Sequence, residues 1–100
     1  MKKETYYIVR ADRAGVFFGQ IESKEAETCC KAGQVKMNNL RKIHYWDGAS
    51  AIEQIATDGV NQNSRLTITV PTMTIAAPIQ VIPCTEKAID NLLNQKEWKQ

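Results

Sequence analysis

The sequence predicts a small α+β domain built from an antiparallel or mixed β-sheet and two short helices. Two observations carry this prediction. Several segments alternate apolar and polar residues, which is typical of strands with one buried face. The period then changes to about 3.6 residues after position 48, and again near the carboxyl end, which predicts one helix following Trp46 and one C-terminal helix. We expect residues 1–100 to form a single domain, because a chain of this length can bury one core but not two.

The first half is predicted to be mostly β-structure. Residues 6–10 and 16–21 are rich in aromatic and β-branched side chains and flank turn residues, so we expect a hairpin. Residues 22–32 are charged and mixed, and the pattern leaves open whether they form a loop or a short exposed helix. Residues 34–37 alternate as a strand. Asn38 and Asn39 then predict a tight turn that leads into a strand over residues 41–46.

The second half is predicted to run helix, strands, helix. Ser50 and Glu53 fit a capping box, and Gly59 is suited to end that helix in a left-handed conformation. Residues 66–70 and 73–81 are predicted as strands. Pro78 removes a backbone donor from the second of these, which should therefore lie at a sheet edge or contain a bulge. Thr85 is expected to cap the last helix. The apolar stripe of that helix consists of Ala88, Ile89, Leu92 and Leu93.

Composition and charge exclude several classes of protein. The 43% apolar content is ordinary for a folded domain, and no window reaches the ~18–20 apolar residues of a membrane-spanning helix. The net charge is only +2, but residues 1–50 hold nine Lys/Arg against six Asp/Glu, so an anionic partner should meet the first half. There is no secretory signal pattern, and three cysteines form no paired disulfide set. We expect an intracellular protein without a membrane partner.

The sequence offers no clear catalytic or metal-binding constellation. His44 is the only histidine, and within a strand an exposed or hydrogen-bonded histidine is commoner than a catalytic one. Cys84 precedes a helix start, where the pKa of a thiol can fall, but a buried structural cysteine is the favoured interpretation. Cys29 and Cys30 could join these two residues as zinc ligands, although adjacent cysteines lack the usual two-residue spacing. We predict that the protein is not an enzyme and uses no metal or cofactor.

Planar and cationic side chains are dense in the β-segments of the first half. Aromatic faces stack on bases and arginines pair bidentately with phosphates, so this mixture favours a nucleotide or nucleic-acid ligand. For each residue alone, the alternative is a place in the core or on the solvated surface. At least one of Phe17 and Phe18 should belong to the core, because neighbours in a strand point to opposite faces, whereas Arg41 is expected to be exposed. The candidate ligand-binding residues are Arg10, Phe17, Phe18, Asn39, Arg41, Lys42, Tyr45 and Trp46.

Three ordered segments carry a family resemblance: residues 8–10 with 14–19, residues 39–49, and residues 81–88 with the later Trp98-Lys99. They resemble a family of small proteins from bacteriophages and prophages that is catalogued as a domain of unknown function. That family is similar to the phage Thoeris anti-defence sponges, which form oligomers and trap cyclic ADP-ribose isomers or cyclic oligonucleotides without cleaving them. One departure is Arg41-Lys42, where the family has two arginines. Lysine lacks the bidentate geometry of arginine, so we expect a different ligand preference.

The resemblance implies a sponge that sequesters a nucleotide immune signal in the cytoplasm of an infected bacterial host. Arg10 and Arg41 would then clamp phosphates, Trp46 and one of the two phenylalanines would stack on bases, and Asn39 would read a base edge or a ribose. The alternative is a phage accessory protein that inhibits a host protein or binds nucleic acid, but the weak net charge argues against tight polyanion binding. We also expect a homo-oligomer, because residues 74–79 form a long uncharged edge.

Overall fold

The structure is a computed structural model that describes residues 5–12, 15–46, 51–62 and 64–97. Its elements follow in the order β1 (Thr5–Ala11), β2 (Gly15–Ile21), α1 (Ser23–Ala32), β3 (Gln34–Tyr45), α2 (Ile52–Asp58), β4 (Arg65–Leu66), β5 (Val70–Ala76), β6 (Pro78–Pro83) and α3 (Glu86–Leu93). The predicted α+β class is confirmed, with a six-stranded antiparallel sheet. The described residues contain three helices rather than two, because the stretch left open at residues 22–32 forms α1.

The sheet curls, and a bend at Ala77 connects two strands, β5 and β6, that lie at opposite ends of the pairing path. Strand order is β4-β3-β2-β1-β6, and β5 pairs with β3 on the side away from β2. Only Ala77 separates β5 from β6, and it has a φ of 55°. Its N–H donates to the carbonyl of Gly33 at 2.8 Å, and its own carbonyl accepts from the N–H of Asp12 at 3.0 Å. The pairing path β6-β1-β2-β3-β5 therefore returns on itself at this corner.

Two apolar clusters lie on opposite faces of the curled sheet, because neighbouring strand residues point to opposite sides. The first, which we name the α1 face, consists of Val9, Ala11, Phe17, Ile21, Cys29, Val35, Met37, Leu40 and Ile75. The second, the helix-pair face, is covered by α2 and α3 and consists of Ile8, Phe18, Ile43, Ile52, Ile55, Ala56, Val60, Leu66, Ala88 and Leu92.

A β-bulge in β3 takes the place of the predicted tight turn. β3 runs without interruption through Asn38 and Asn39, so the predicted turn is wrong. Asn39 has a φ of 48°, in the left-handed region that asparagine tolerates better than most residues. The β2–β3 register shifts at the same point, between Phe18 and Gln20. The two asparagines therefore mark a local kink within one strand rather than a reversal of the chain.

The bulge changes which face of the sheet the odd-numbered residues of β3 meet. Val35 and Met37 lie on the α1 face, whereas Ile43 lies on the helix-pair face. An uninterrupted strand would place all three on one side. The extra residue at Asn39 reverses the alternation, and Arg41 consequently points towards the helix pair.

Two predicted strands of the second half have different bounds in the structure. Of the predicted strand at 66–70, Leu66 lies in β4, Val70 begins β5 and residues 67–69 belong to no strand. The predicted strand at 73–81 is divided by Ala77 into parts of β5 and β6. Pro78 begins β6 at one end of the sheet, next to a register shift between Arg10 and Ala11. The expectation of an edge or a bulge at Pro78 is confirmed, since both are present.

The two predicted helices begin and end differently. Ser50 lies outside the described residues. The N-cap of α2 is Ala51, which makes no side-chain cap, and Gly59 ends the helix with a positive φ of 84° but a ψ of −156°, outside the predicted left-handed helical region. Thr85 caps α3 as predicted, because its Oγ1 accepts from the Ala88 N–H at 3.1 Å. Of the predicted stripe of α3, Leu93 is instead exposed. Within the described ranges, no helix combines the length and apolar character that crossing a membrane requires.

Candidate functional site

A pocket of about 440 Å³ opens between the sheet and the start of α2. It brings together two of the predicted ligand-binding residues, Arg10 from β1 and Trp46 from the end of β3. We name it the Arg10–Trp46 pocket. It is lined by Arg10, Val16, Trp46, Ala51, Ile52, Glu53 and Gln80.

Strand pairing explains how Arg10 reaches this pocket. Arg10 is opposite Val16 of β2 and opposite Gln80 of β6, so these three side chains form one row across three strands. Ile8, two residues before Arg10, lies in the core of the helix-pair face. Arg10 continues that face beyond the apolar core, where its side chain is exposed. The row therefore gives the pocket a cationic and an amide group side by side.

Trp46 supplies the aromatic part of the pocket. It follows the last residue of β3 and is half-buried against the helix-pair face. Ile52 and Glu53, in the first turn of α2, line the same space. The pocket thus combines an aromatic ring and aliphatic side chains with one guanidinium, one carboxylate and one amide. Such a set can stack on a planar ring, pair with an anionic group and accept hydrogen bonds from hydroxyl or amino groups.

Arg41 lies elsewhere, and its predicted exposure is wrong. Only 2% of the residue is exposed. Its Nε donates to the carbonyl of Thr67 at 2.8 Å, and its two terminal nitrogens donate to the carbonyls of Leu92 at 2.7 Å and Lys96 at 3.3 Å. Burial lowers the pKa of the guanidinium, while the nearby Glu97 carboxylate acts in the opposite direction. The side chain is committed to the backbone around the end of α3 and does not line the pocket.

Phe17 and Phe18 are both core residues. Phe17 is 4% exposed on the α1 face, and Phe18 is fully buried on the helix-pair face. The Phe18 ring stacks on Tyr6 with 4.9 Å between centroids. The prediction that at least one of them belongs to the core is confirmed. Their predicted role in stacking on a base finds no support in the structure, because neither ring has a face open to a ligand.

The remaining predicted residues lie outside the lining of the Arg10–Trp46 pocket. Asn39 is exposed at the bulge, where its Nδ2 donates to Gln20 Oε1 at 2.6 Å. Lys42 is exposed next to Gly15. Tyr45 is half-exposed, with the guanidinium carbon of Arg65 5.8 Å from its ring centroid. The structure therefore joins Arg10 and Trp46 and separates them from the other six candidates.

Two polar lining residues, Glu53 and Gln80, were not predicted as ligand contacts. Glu53 was interpreted as part of a capping box, and Gln80 was not considered at all. Gln80 meets Arg10 only because β6 pairs with β1, about 70 residues away in sequence. No local sequence pattern predicts that β1 pairs with β6. A capping signal likewise does not reveal that Glu53 also borders a pocket.

Cys84, for which a buried structural role was favoured, is partly buried against the helix-pair face, whereas Cys30 is exposed. Burial raises the pKa of Cys84 to about 12 and also raises that of Cys29. The fall in pKa that a helix start can cause is therefore not seen at Cys84. In the described part of the chain, no group of three or more His, Cys, Asp or Glu residues is arranged to hold a metal ion.

Comparison with known proteins places the chain in a family without naming its activity. No curated protein and no solved structure matches the chain. The model of one family, described as "Domain of unknown function (DUF6948)", matches residues 4–92, which include all eight predicted site residues and the whole lining of the pocket. The protein therefore belongs to this family of unknown function.

Proposed function

We propose that this protein binds a small nucleotide signal in the Arg10–Trp46 pocket and sequesters it without cleaving it. The ligand class is a cyclic oligonucleotide or a cyclic ADP-ribose isomer. The observation that carries the proposal is the meeting of Arg10 and Trp46 in one pocket of about 440 Å³. This volume lies within the roughly 300–1,000 Å³ of ordinary small-molecule sites.

The lining suits the separate parts of a nucleotide. Trp46 offers an aromatic surface on which a base can stack, an interaction of about 1–3 kcal/mol per base. Arg10 offers a planar fork that matches phosphate oxygens. Glu53 can accept hydrogen bonds from ribose hydroxyls or an exocyclic amine, and the Gln80 amide can both donate and accept. A ligand that has a base, a sugar and a phosphate would therefore use every polar group of the lining.

Binding without turnover agrees with the chemistry of these side chains. The lining residues that the structure describes include no serine, cysteine, lysine or histidine to act as an activated nucleophile. Glu53 has no second titratable carboxylate or imidazole beside it in that lining, so a general acid and base pair is not assembled. A sequestering protein needs only affinity and abundance.

In this proposal the protein is a phage-encoded anti-defence sponge that acts in the cytoplasm of an infected bacterial host as a homo-oligomer. It would bind neither membrane nor nucleic acid. The alternative, an accessory protein that inhibits a host protein or binds nucleic acid, differs in its response to salt. Affinity for duplex DNA should fall steeply with salt concentration, whereas affinity for a nucleotide with few charges should change little.

Intrinsic fluorescence offers a direct test, because the chain has two tryptophans. In a Trp98→Phe variant the emission reports on Trp46 alone. Titration with cyclic ADP-ribose isomers and with cyclic di- and trinucleotides should change this emission with a stoichiometry of one ligand per chain, with one member of the panel binding well below micromolar concentration. Heat denaturation of the complex should then release the same nucleotide, identified by chromatography and mass.

Two results would contradict the proposal. Release of a linear or hydrolysed nucleotide would show turnover, and the absence of binding for the whole panel would remove the ligand class. Tyr45→Ala in the same background is the matched control, because Tyr45 is a half-exposed aromatic residue next in sequence to Trp46 but outside the pocket lining. Calorimetric titration measures these two variants, because Trp46→Ala leaves no tryptophan in this background. Binding should survive Tyr45→Ala and be lost in Trp46→Ala.

A further inference from the structure

Three strands have an edge that pairs with no other described strand, and they are protected to different degrees. Native proteins shield such edges with short strands, prolines, bulges or charges. β4 has only two residues, and β6 begins and ends with proline beside a register shift. β5 has seven residues, Val70–Ala76, without a charge, and among the described residues it pairs with β3 alone. The outer edge of β5 is therefore longer than that of β4 and, unlike that of β6, has no proline at either end of the strand.

Two hydrogen bonds, one from Ala77 and one from Lys36, establish which backbone groups of β5 face outwards. The Ala77 N–H donates to the Gly33 carbonyl, so the backbone of Ala77 points towards β3. The N–H of Lys36, opposite Thr74, instead donates to Glu25 Oε2 at 2.7 Å, on the side of β3 away from β5. Because backbone groups alternate along an antiparallel strand, those of Ile75 and Met73 face β3, and those of Thr72 and Thr74 face away from it.

Proline does not protect this edge. Pro71 is the second residue of β5, and by the same alternation its nitrogen lies on the side of β3. The inner side of β5, which faces β3, is therefore the side that lacks this N–H. Pro71 would lie opposite Asn39 of the bulge, and Pro71 has no partner in the β3–β5 register. Within the described ranges no strand pairs with the outer N–H and C=O groups of Thr72 and Thr74, so these groups can accept a further strand.

We propose that β5 pairs antiparallel with β5 of a second copy of this chain, about a two-fold axis that passes beside Met73. Thr72 of each copy is then opposite Thr74 of the other, and these two pairs exchange the backbone hydrogen bonds. Met73 faces Met73 in the pair between them, which has no backbone hydrogen bonds. The two sheets become one continuous sheet across the dimer.

The sequence of the edge favours a second copy over an unrelated strand. The segment Thr72-Met73-Thr74 reads the same in both directions, so an antiparallel copy presents identical partners across the axis. Opposed threonines are favourable cross-strand pairs, and the absence of charges in β5 means that no like charges meet. Met73 is 40% exposed, and its flexible side chain can bury that surface against its counterpart.

Cysteine cross-linking tests the register of this pairing. In a Cys30→Ser background, Met73→Cys should form a disulfide between two chains under mild oxidation. The Cα atoms of such a non-hydrogen-bonded pair are about 4.5 Å apart, within the ~4.4–6.8 Å that a disulfide spans. Ile79→Cys in the same background is the control, since Ile79 is 50% exposed on β6. Equal cross-linking of both variants, or none at Met73→Cys, would overturn the proposal.

A second pair of variants tests the backbone bonds. Sedimentation equilibrium of the unaltered chain at micromolar concentration should give twice its 11.3 kDa mass or a multiple of that dimer. Thr74→Pro removes the outward N–H and should return the 11.3 kDa monomer, whereas Thr74→Val keeps the N–H and should remain dimeric. Circular dichroism establishes that Thr74→Pro is folded, and if it is not, the cross-linking result decides. A monomeric unaltered chain, or a folded Thr74→Pro variant that remains dimeric, would contradict the proposed β5–β5 pairing.

Discussion

Arg10 and Arg41 occupy strands of the same sheet and point to the same helix-pair face, yet the structure gives them opposite surroundings. Arg10 is exposed and lines a pocket with Trp46. Arg41 is 2% exposed and donates to three backbone carbonyls. The difference arises from what lies over each residue. The end of α3 and the following residues cover Arg41, whereas the described part of the chain leaves the space over Arg10 open.

This comparison separates a structural arginine from a candidate binding arginine. The last carbonyls of a helix have no partners within the helix, and a cation near a helix C-terminus is favourable. Arg41 satisfies both needs at α3 through the carbonyl of Leu92, while its other two acceptors, Thr67 and Lys96, lie outside the helix. Arg10 instead borders the Arg10–Trp46 pocket. Four substitutions test this division, and their expected effects on stability decrease in the order given.

Arg41→Ala should have the largest effect on stability. It leaves the carbonyls of Thr67, Leu92 and Lys96 without their charged donor in a site that water reaches poorly. Hydrogen bonds to charged groups are each worth about 1.5–3 kcal/mol. The two short bonds, to Thr67 and Leu92, therefore predict that the free energy of unfolding falls by at least about 3 kcal/mol and Tm by at least roughly 12 °C. Urea denaturation measures the free energy of unfolding and a thermal melt measures Tm, both followed by circular dichroism. Arg41→Lys should recover only part of the loss, because one ammonium group cannot reach three divergent acceptors. A loss below about 0.5 kcal/mol for Arg41→Ala would return Arg41 to the class of surface residues.

Gly19→Ala should have the next largest effect, because Gly19 lies opposite the bulge that turns Arg41 towards the helix pair. A Cβ on Gly19 would lie 2.7 Å from Leu40 Cβ and 2.9 Å from Leu40 Cα. The second contact is with backbone, so the bulge itself must shift. Overpacking of this kind costs about 1–3 kcal/mol.

The link between Gly19 and Arg41 can be measured with a double-mutant cycle. If the shifted bulge displaces the Arg41 side chain, Gly19→Ala should cost at least 0.5 kcal/mol less in the Arg41→Ala background than alone, by the usual size of coupling between neighbours, roughly 0.5–3 kcal/mol. Additive losses would show that the bulge and the arginine stabilise the fold independently.

Thr85→Ala tests the other end of the helix that Arg41 holds. The Thr85 Oγ1 accepts from the Ala88 N–H at 3.1 Å and donates to the Thr57 carbonyl at 2.6 Å, so one hydroxyl both caps α3 and joins it to α2. Loss of a threonine N-cap costs about 1 kcal/mol. Thr85→Ser keeps the hydroxyl and should recover most of this loss in a thermal melt. Equal melting temperatures for Thr85→Ala and the unaltered chain would show that the cap contributes little.

Local patterns predicted those elements whose residues carry the signal themselves. The first hairpin, the capped start of α3 at Thr85 and the irregularity at Pro78 all follow from short-range rules of alternation, capping and proline geometry. The turn predicted at Asn38-Asn39 is wrong for the same reason. Asparagine tolerates a positive φ in a turn and in a bulge alike, and only the pairing with β2 and β5 on either side decides between them.

The candidate site could be predicted only in part. Arg10 and Trp46 were chosen for their chemistry, and the structure places both in one pocket. Arg41 was chosen on the same grounds, but its burial depends on the reversed alternation after Asn39 and on the position of α3, neither of which a strand pattern contains. Phe17 and Phe18 show the same limit, since both faces of this sheet are covered and neighbouring residues are therefore both buried.

Arg10→Ala should leave stability nearly unchanged, within about 0.5 kcal/mol, because an exposed strand arginine makes few contacts that folding requires. Under the proposed function it should nevertheless lower nucleotide affinity. Loss of one charge-assisted hydrogen bond is worth about 1.5–3 kcal/mol, which corresponds to roughly tenfold to more than a hundredfold in Kd. Arg10→Lys should give an intermediate affinity, since the charge remains and the bidentate fork is lost. Calorimetric titration with the nucleotide identified by fluorescence measures Kd for the unaltered chain, Arg10→Ala and Arg10→Lys.

Arg65→Ala is the control, because Arg65 is also an exposed strand arginine but lies over Tyr45, outside the pocket lining. Equal Kd values for Arg10→Ala and Arg65→Ala would remove Arg10 from the site and leave both arginines of the comparison without a role in binding.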